Sequence, residues 1–100
     1  MAIVNIPALH VTGAILPSPS TAFTTTGRGF WLHSSGLVKG EKVTLYGPDS
    51  NGAYRAVTNK ESTLGISAYP NSVFIDLPPG TYRLEKGITA FAPYIGYEEE

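Results

Sequence analysis

One hundred residues fit a single domain, and a formal net charge of −1 with 15% charged side chains offers no basic surface for nucleic-acid phosphates. The absence of cysteine removes disulfides, thiol chemistry and cysteine-ligated zinc or iron–sulfur centres. A hydrophobic share of 42% sets the chain apart from a disordered tail, and no apolar run approaches the roughly 18 residues that span a bilayer.

Eleven glycines and eight prolines cut the sequence into short pieces, the longest free of both being Ala53–Leu64. That leaves little room for regular helices and favours many short strands. The opening Met1-Ala2-Ile3-Val4-Asn5-Ile6-Pro7 has no basic region and no continuous apolar stretch. It does not read as a signal peptide, and the expectation is a complete product made in the cytoplasm of its producing cell. Leu9, Val11 and Ile15 suggest a strand with a bulge at Gly13, followed by an extended Pro17-Ser18-Pro19-Ser20 loop. Thr21–Thr26 is β-prone but polar, and Phe30-Trp31-Leu32-His33 reads as a short aromatic strand.

From Glu41 the alternation sharpens. Val43 and Leu45 share one face of a strand, Gly47–Gly52 has turn chemistry, and Ala53–Val57 returns as the second arm of a hairpin. Tyr46 and Tyr54 flank that turn as a candidate cross-strand pair. Near-helical spacing of Tyr54, Val57, Glu61 and Leu64 keeps a short helix open as an alternative there. Val73, Ile75 and Leu77 share a face, Pro78-Pro79-Gly80 turns the chain, and Tyr82 and Leu84 point inward on the next strand. A last β-prone stretch, Ile88–Tyr97, runs into Glu98-Glu99-Glu100, expected as a solvated, frayed end.

Little in this pattern points to catalysis. Neither His10 nor His33 has a His, Asp or Glu within several positions, so ordinary hydrogen-bonded histidines are expected and no metal site. Ser34 and Ser35 adjoin His33, but adjacency does not make a triad, and no Gly-x-Ser-x-Gly elbow occurs. Asp49 falls in a turn and Asp76 alternates outward, which leaves no evident carboxylate pair. Gly27-Arg28-Gly29 precedes Phe30-Trp31 where a phosphate loop would precede a helix. The expectation is a non-enzyme that needs no cofactor. Trp31, Tyr69 and Tyr94 are the candidate rings for stacking on a sugar or anchoring a protein.

The run Leu77-Pro78-Pro79-Gly80-Thr81-Tyr82 resembles the Leu-Pro-x-Gly-x-Tyr hairpin of immunoglobulin-like and prealbumin-like sandwiches. Ala92-Pro93-Tyr94-Ile95-Gly96-Tyr97 is similar to the ending of the collagen-adhesin B-type repeat. That family's Lys–Asn isopeptide bond is not carried over, because the final strand has no Asn and the first apolar strand has no Lys. A broader likeness covers residues 37–97. Gly40, Val43, Leu45, Tyr46, Gly52, Tyr54, Leu77, Pro78, Gly80, Tyr82 and Arg83 are laid out as in small bacteriophage virion proteins.

The expected fold is all-β: a single small antiparallel β-sandwich, immunoglobulin-like or jelly-roll-like, with an extended N-terminal arm. Residues 1–36 are assigned to the arm, 37–97 to the sandwich core and 98–100 to an acidic tail. The virion resemblance implies a structural subunit that decorates or cements a capsid by binding across major capsid protein subunits or other virion proteins. It would be oligomeric or lattice-bound and located in the virion, with neither nucleic acid nor membrane as partner. The alternative is a carbohydrate- or receptor-binding module of a tail or surface. Ile3, Val4, Ile6, Leu9, Trp31, Tyr69 and Tyr94 are the candidate partner-binding residues. The prolines at 7, 17 and 19 argue for an arm that ties the subunit to its lattice. The competing expectation is that residues 1–36 supply the first strands of the sandwich.

Overall fold

The computed structural model describes residues 3–59 and 62–99. Eleven strands form along the chain among these residues: β1 (Val4–Asn5), β2 (Ala22–Thr25), β3 (Phe30–Ser35), β4 (Lys42–Pro48), β5 (Tyr54–Ala56), β6 (Thr58–Asn59), β7 (Ser62–Thr63), β8 (Gly65–Ser67), β9 (Ser72–Ile75), β10 (Gly80–Lys86) and β11 (Tyr94–Glu98). The segment considered for a helix is strand instead, so the 3.6-residue spacing was fortuitous. Glu61, part of that alternative, lies outside the described residues, as do Met1, Ala2, Lys60 and Glu100.

β5 and β8 lie along the same edge of β4. Tyr46 faces Ala56 and Val43 faces Ile66, while Leu45 bonds Val57 through its carbonyl and Leu64 through its amide. The small β6–β7 hairpin is thrown out between them. With β5 and β8 taken as one interrupted strand, eight strands remain, and they pair first with last: β1 with β11, β2 with β10, β3 with β9, β4 with β5 and β8. The sheets run β1-β11-β3-β9 (sheet A) and β2-β10-β4-β5 (sheet B). One long hairpin wound into two layers produces this order, which makes the sandwich a jelly roll; an immunoglobulin domain divides its strands differently.

Alternation fills the space between the sheets. Phe30 and Leu32 from β3, Val43 and Leu45 from β4, Tyr82 and Leu84 from β10, and Ile95 from β11 are all buried. Phe23 bridges the layers, edge-on to Phe30 at 5.3 Å and stacked on Tyr97 at 4.7 Å. The Tyr82 hydroxyl donates to the Pro78 carbonyl and closes the Pro-Pro-Gly turn.

The division at residue 36 is not a division of this fold. Residues 3–35 supply β1 and β3 to sheet A and β2 to sheet B, and they place Ile6, Leu9, Phe23, Phe30 and Leu32 in the core. The prolines that argued for an arm sit where they cost no ladder bond: Pro7 and Pro19 each start a short 3-10 turn. The two tyrosines flanking the β4–β5 turn are offset, because Tyr46 faces Ala56 and Tyr54 faces Pro48. Tyr54 instead carries the Arg83 guanidinium 3.9 Å above its ring.

Candidate functional site

Antiparallel strands that alternate direction send their connections to two ends. Residues 6–21, 36–41, 68–71 and 87–93 gather at one end; residues 26–29, 49–53 and 76–79 gather at the other. The two ends differ in chemistry. At the second end Arg28 pairs with Asp76 at 2.9 Å and Arg55 with Asp49 at 2.7 Å. Asp49 also accepts from the amides of Asn51 and Ala53, and these contacts, with Arg55 first, hold its carboxyl below the ordinary value.

Glu99 completes that polar end. Its carboxylate accepts from the backbone N–H of Thr26 at 2.7 Å and of Gly27 at 3.1 Å, capping the β2–β3 turn. Glu98 belongs to β11 and contacts His33. The frayed acidic tail is therefore corrected at both positions, while Glu100 lies outside the described residues. The Thr26 and Gly27 amides lower the Glu99 carboxyl. A lowered carboxylate contributes stability that is present above its unfolded value and lost as pH falls through the folded one. Glu99→Gln is therefore expected to shrink the drop in urea midpoint between neutral pH and about pH 3. An unchanged drop would show that the cap carries no linkage.

The first end is apolar. Among the described residues ten large hydrophobic side chains stand well exposed, and seven are here: Val11, Leu16, Val38, Tyr69, Ile88, Phe91 and Tyr94. Three of the four loops carrying them are tied together through residues 87–93. Thr89 N–H donates to Thr12 O, Ile15 and Lys86 exchange two backbone bonds, and Ala90 N–H donates to the Glu41 carboxylate at 2.8 Å. Lys86, 1% exposed, extends its ammonium to Gly13 O, Gly87 O and Thr89 Oγ1. Burial lowers its pKa, opposed by Glu41. His10 stacks on Tyr94 at 4.3 Å, beside a cavity of about 220 Å³ floored by Ile6, Pro7 and Ile95.

The outer face of sheet A carries a second grouping. β3 turns Trp31 and His33 outward, β9 turns Ser72 and Phe74 outward, and β11 adds Glu98. Trp31 sits opposite Phe74 and Glu98, and His33 opposite Ser72 and Gly96. Phe74 meets Trp31 edge-on at 5.4 Å, and the Trp31 and His33 planes lie within 14° of parallel. His33 Nδ1 is 2.8 Å from Ser72 Oγ, and Nε2 is 2.9 Å from Glu98 Oε1. Phe74 also covers Gly29, whose φ of +88° and close ring leave no room for a Cβ.

The candidate partner-binding residues divide accordingly. Ile6 and Leu9 are 6% and 0% exposed and belong to the core, because the Pro7–Leu9 turn rolls them under β11. Ile3 and Val4 are about half exposed, with Val4 on the edge strand of sheet A. Tyr69 and Tyr94 are exposed at the apolar end, and Trp31 is half-buried on the outer face. Tyr94 pairs with Ser35 and Trp31 with Glu98, so these two rings stand at opposite ends of the β3–β11 ladder. The three rings do not form one platform. Val38, Ile88 and Phe91 join Val11 and Leu16 in one surface only because the jelly-roll order gathers their loops. Ser72 and Glu98 reach His33 only through strand register.

Fold and surfaces together define a small jelly-roll sandwich with one apolar and one polar end. The chain matches no protein-family model, no curated protein and no solved structure. No helix among the described residues is long and apolar enough to cross a membrane.

Proposed function

We propose that this protein is a non-enzymatic structural subunit of a bacteriophage virion that decorates or cements the capsid, docking through its apolar end across major capsid protein subunits. The single observation that carries the docking face is the concentration of exposed apolar side chains on the four loops of one end, three of them tied by hydrogen bonds, opposite an end closed by ion pairs. Jelly rolls recur among capsid and lectin domains, which agrees with the virion likeness of residues 37–97. A subunit that binds only the assembled shell stabilises it by mass action. A standard interface buries on the order of 1,600 Å², about half of it on each partner. Neither nucleic acid nor membrane has a part in this reading, which places the protein in the virion as an oligomer or on a lattice.

The test is incorporation into particles. The protein is expected in purified virions by electron microscopy and mass spectrometry. Phe91→Ala should weaken capsid binding by about 10-fold or more, as for a central aromatic anchor, whereas Arg55→Ala at the polar end should leave it unchanged. Absence from virions, or the reverse ranking of the two variants, overturns the reading.

A second reading is favoured by the outer face of sheet A, where Trp31, Phe74 and His33 lie beside hydroxyl and carboxylate groups suited to sugar hydroxyls. It makes the protein a carbohydrate- or receptor-binding module. Glycan-array binding lost on Trp31→Ala would support it, and an array without signal would remove it.

A further inference from the structure

Three strands bring a hydroxyl, an imidazole and a carboxylate into one chain on the outer face of sheet A, and with Glu98 ionised and His33 neutral the direction of its hydrogen bonds follows from elementary chemistry. An ionised Glu98 only accepts, so His33 Nε2 carries the proton between them. A neutral His33 then presents its lone pair on Nδ1, and the partner at Nδ1 is Ser72 Oγ at 2.8 Å. The serine donates to the imidazole and the imidazole to the acid. This is the polarity that activates a serine for attack on a carbonyl carbon.

The surroundings supply three further parts. Ser72 is exposed, while His33 and Glu98 side chains keep only 22% and 30% of their exposure, so the base is sheltered and the nucleophile is open. Phe74 stands two residues along the same face of β9 with Trp31 across from it, an apolar rest beside the hydroxyl. Ser34 N–H donates to Asn71 O, which sets the phase of the β3–β9 ladder. By the alternation of antiparallel bonds, the Ser72 amide faces the free edge of sheet A, where it can donate to a developing oxyanion.

We propose that Ser72 is a base-activated nucleophile that takes an acyl group from small aromatic or short-chain esters, with His33 as general base and Glu98 as a positioning residue. Ser72 Oγ adds to the ester carbonyl while its proton passes to His33 Nδ1. The tetrahedral adduct then collapses, the bond to the leaving oxygen breaks, and that oxygen takes the proton from His33 and departs as the alcohol. The product is acyl-Ser72. An aryl ester releases a better leaving oxygen than the serine ester formed from it, so acylation outruns hydrolysis and the acyl group accumulates on Ser72. The inference concerns the outer face of sheet A, whereas the virion reading docks the loops of the apolar end.

The experiment treats the full-length protein with p-nitrophenyl acetate near neutral pH, following p-nitrophenolate release and intact mass. One acetyl group is expected, and peptide mapping should place it on Ser72. Ser72→Ala should abolish the burst. His33→Gln should slow acylation of Ser72 by about 100-fold. Glu98→Gln should slow acylation less than His33→Gln does, with Ser72 still the residue labelled. The substituted side chains stand on the outer face, and matching near-UV circular dichroism confirms that each variant is folded. Acetylation confined to lysines such as Lys39 and Lys42, or Ser72 labelled equally fast in His33→Gln, overturns the proposal.

Discussion

Removal of residues 1–19 is expected to abolish the cooperative unfolding transition of this protein. The deletion takes Ile6 and Leu9 out of the core, and each buried aliphatic side chain contributes about 1.5–3 kcal/mol. It strips β1 from the edge of sheet A, exposing the outer side of β11. It also removes the Ile15 bridge to Lys86 and the Gly13 carbonyl that receives the Lys86 ammonium. A domain of this size has about 5–15 kcal/mol of total stability, so losses of this kind consume most of it. Near-UV circular dichroism during urea titration is the measurement. A sigmoidal transition with a midpoint close to that of the full chain would restore the view of residues 1–19 as a detachable arm.

That view arose because local pattern and long-range role diverge in this segment. The strands from β4 onward could be read from alternation: Val43 with Leu45, Val73 with Ile75, Tyr82 with Leu84 each put one face inward, as they do in the fold. β1 has only two residues and Leu9 lies in a 3-10 turn, so no period of two existed there to be read. Trp31 shows the same limit at single-residue scale. Phe30, Trp31 and Leu32 are all apolar, and the sequence offers no sign that the middle one faces out; only the buried Phe30 and Leu32 on either side decide it. The eight-strand topology was open between two sandwich types because pairing order is a non-local property. The contrast between the two ends follows from that order alone, since no loop reveals its companions in the sequence.

Lys86 carries the second large expected effect. It continues the inward alternation of Tyr82 and Leu84, which places an ammonium where an apolar residue would be expected. The position is tolerable because three donors meet three oxygens: Gly13 O at 2.6 Å, Gly87 O at 2.9 Å and Thr89 Oγ1 at 3.2 Å. The side chain thereby ties the 6–21 loop to the 87–93 loop, the two that carry Leu16, Ile88 and Phe91. Lys86→Met keeps the length and apolar stem but leaves these acceptors without their donor. The expected loss is about 2–3 kcal/mol, or about 10 °C or more in melting temperature for a domain of this size. Burial lowers the pKa of Lys86 relative to the unfolded chain. Between the folded and unfolded values the unfolded chain binds more protons, so this group makes stability rise with pH across that window. Tyr46 and Tyr82, raised by burial, act in the opposite sense once unfolded tyrosines ionise. The difference between parent and Lys86→Met isolates the lysine: the gap should widen as pH climbs through the window, while the tyrosine contribution cancels. Melting curves of both proteins across alkaline pH make the comparison. A variant that melts within about 2 °C of the parent would mean that the ammonium cage does not hold the apolar end together.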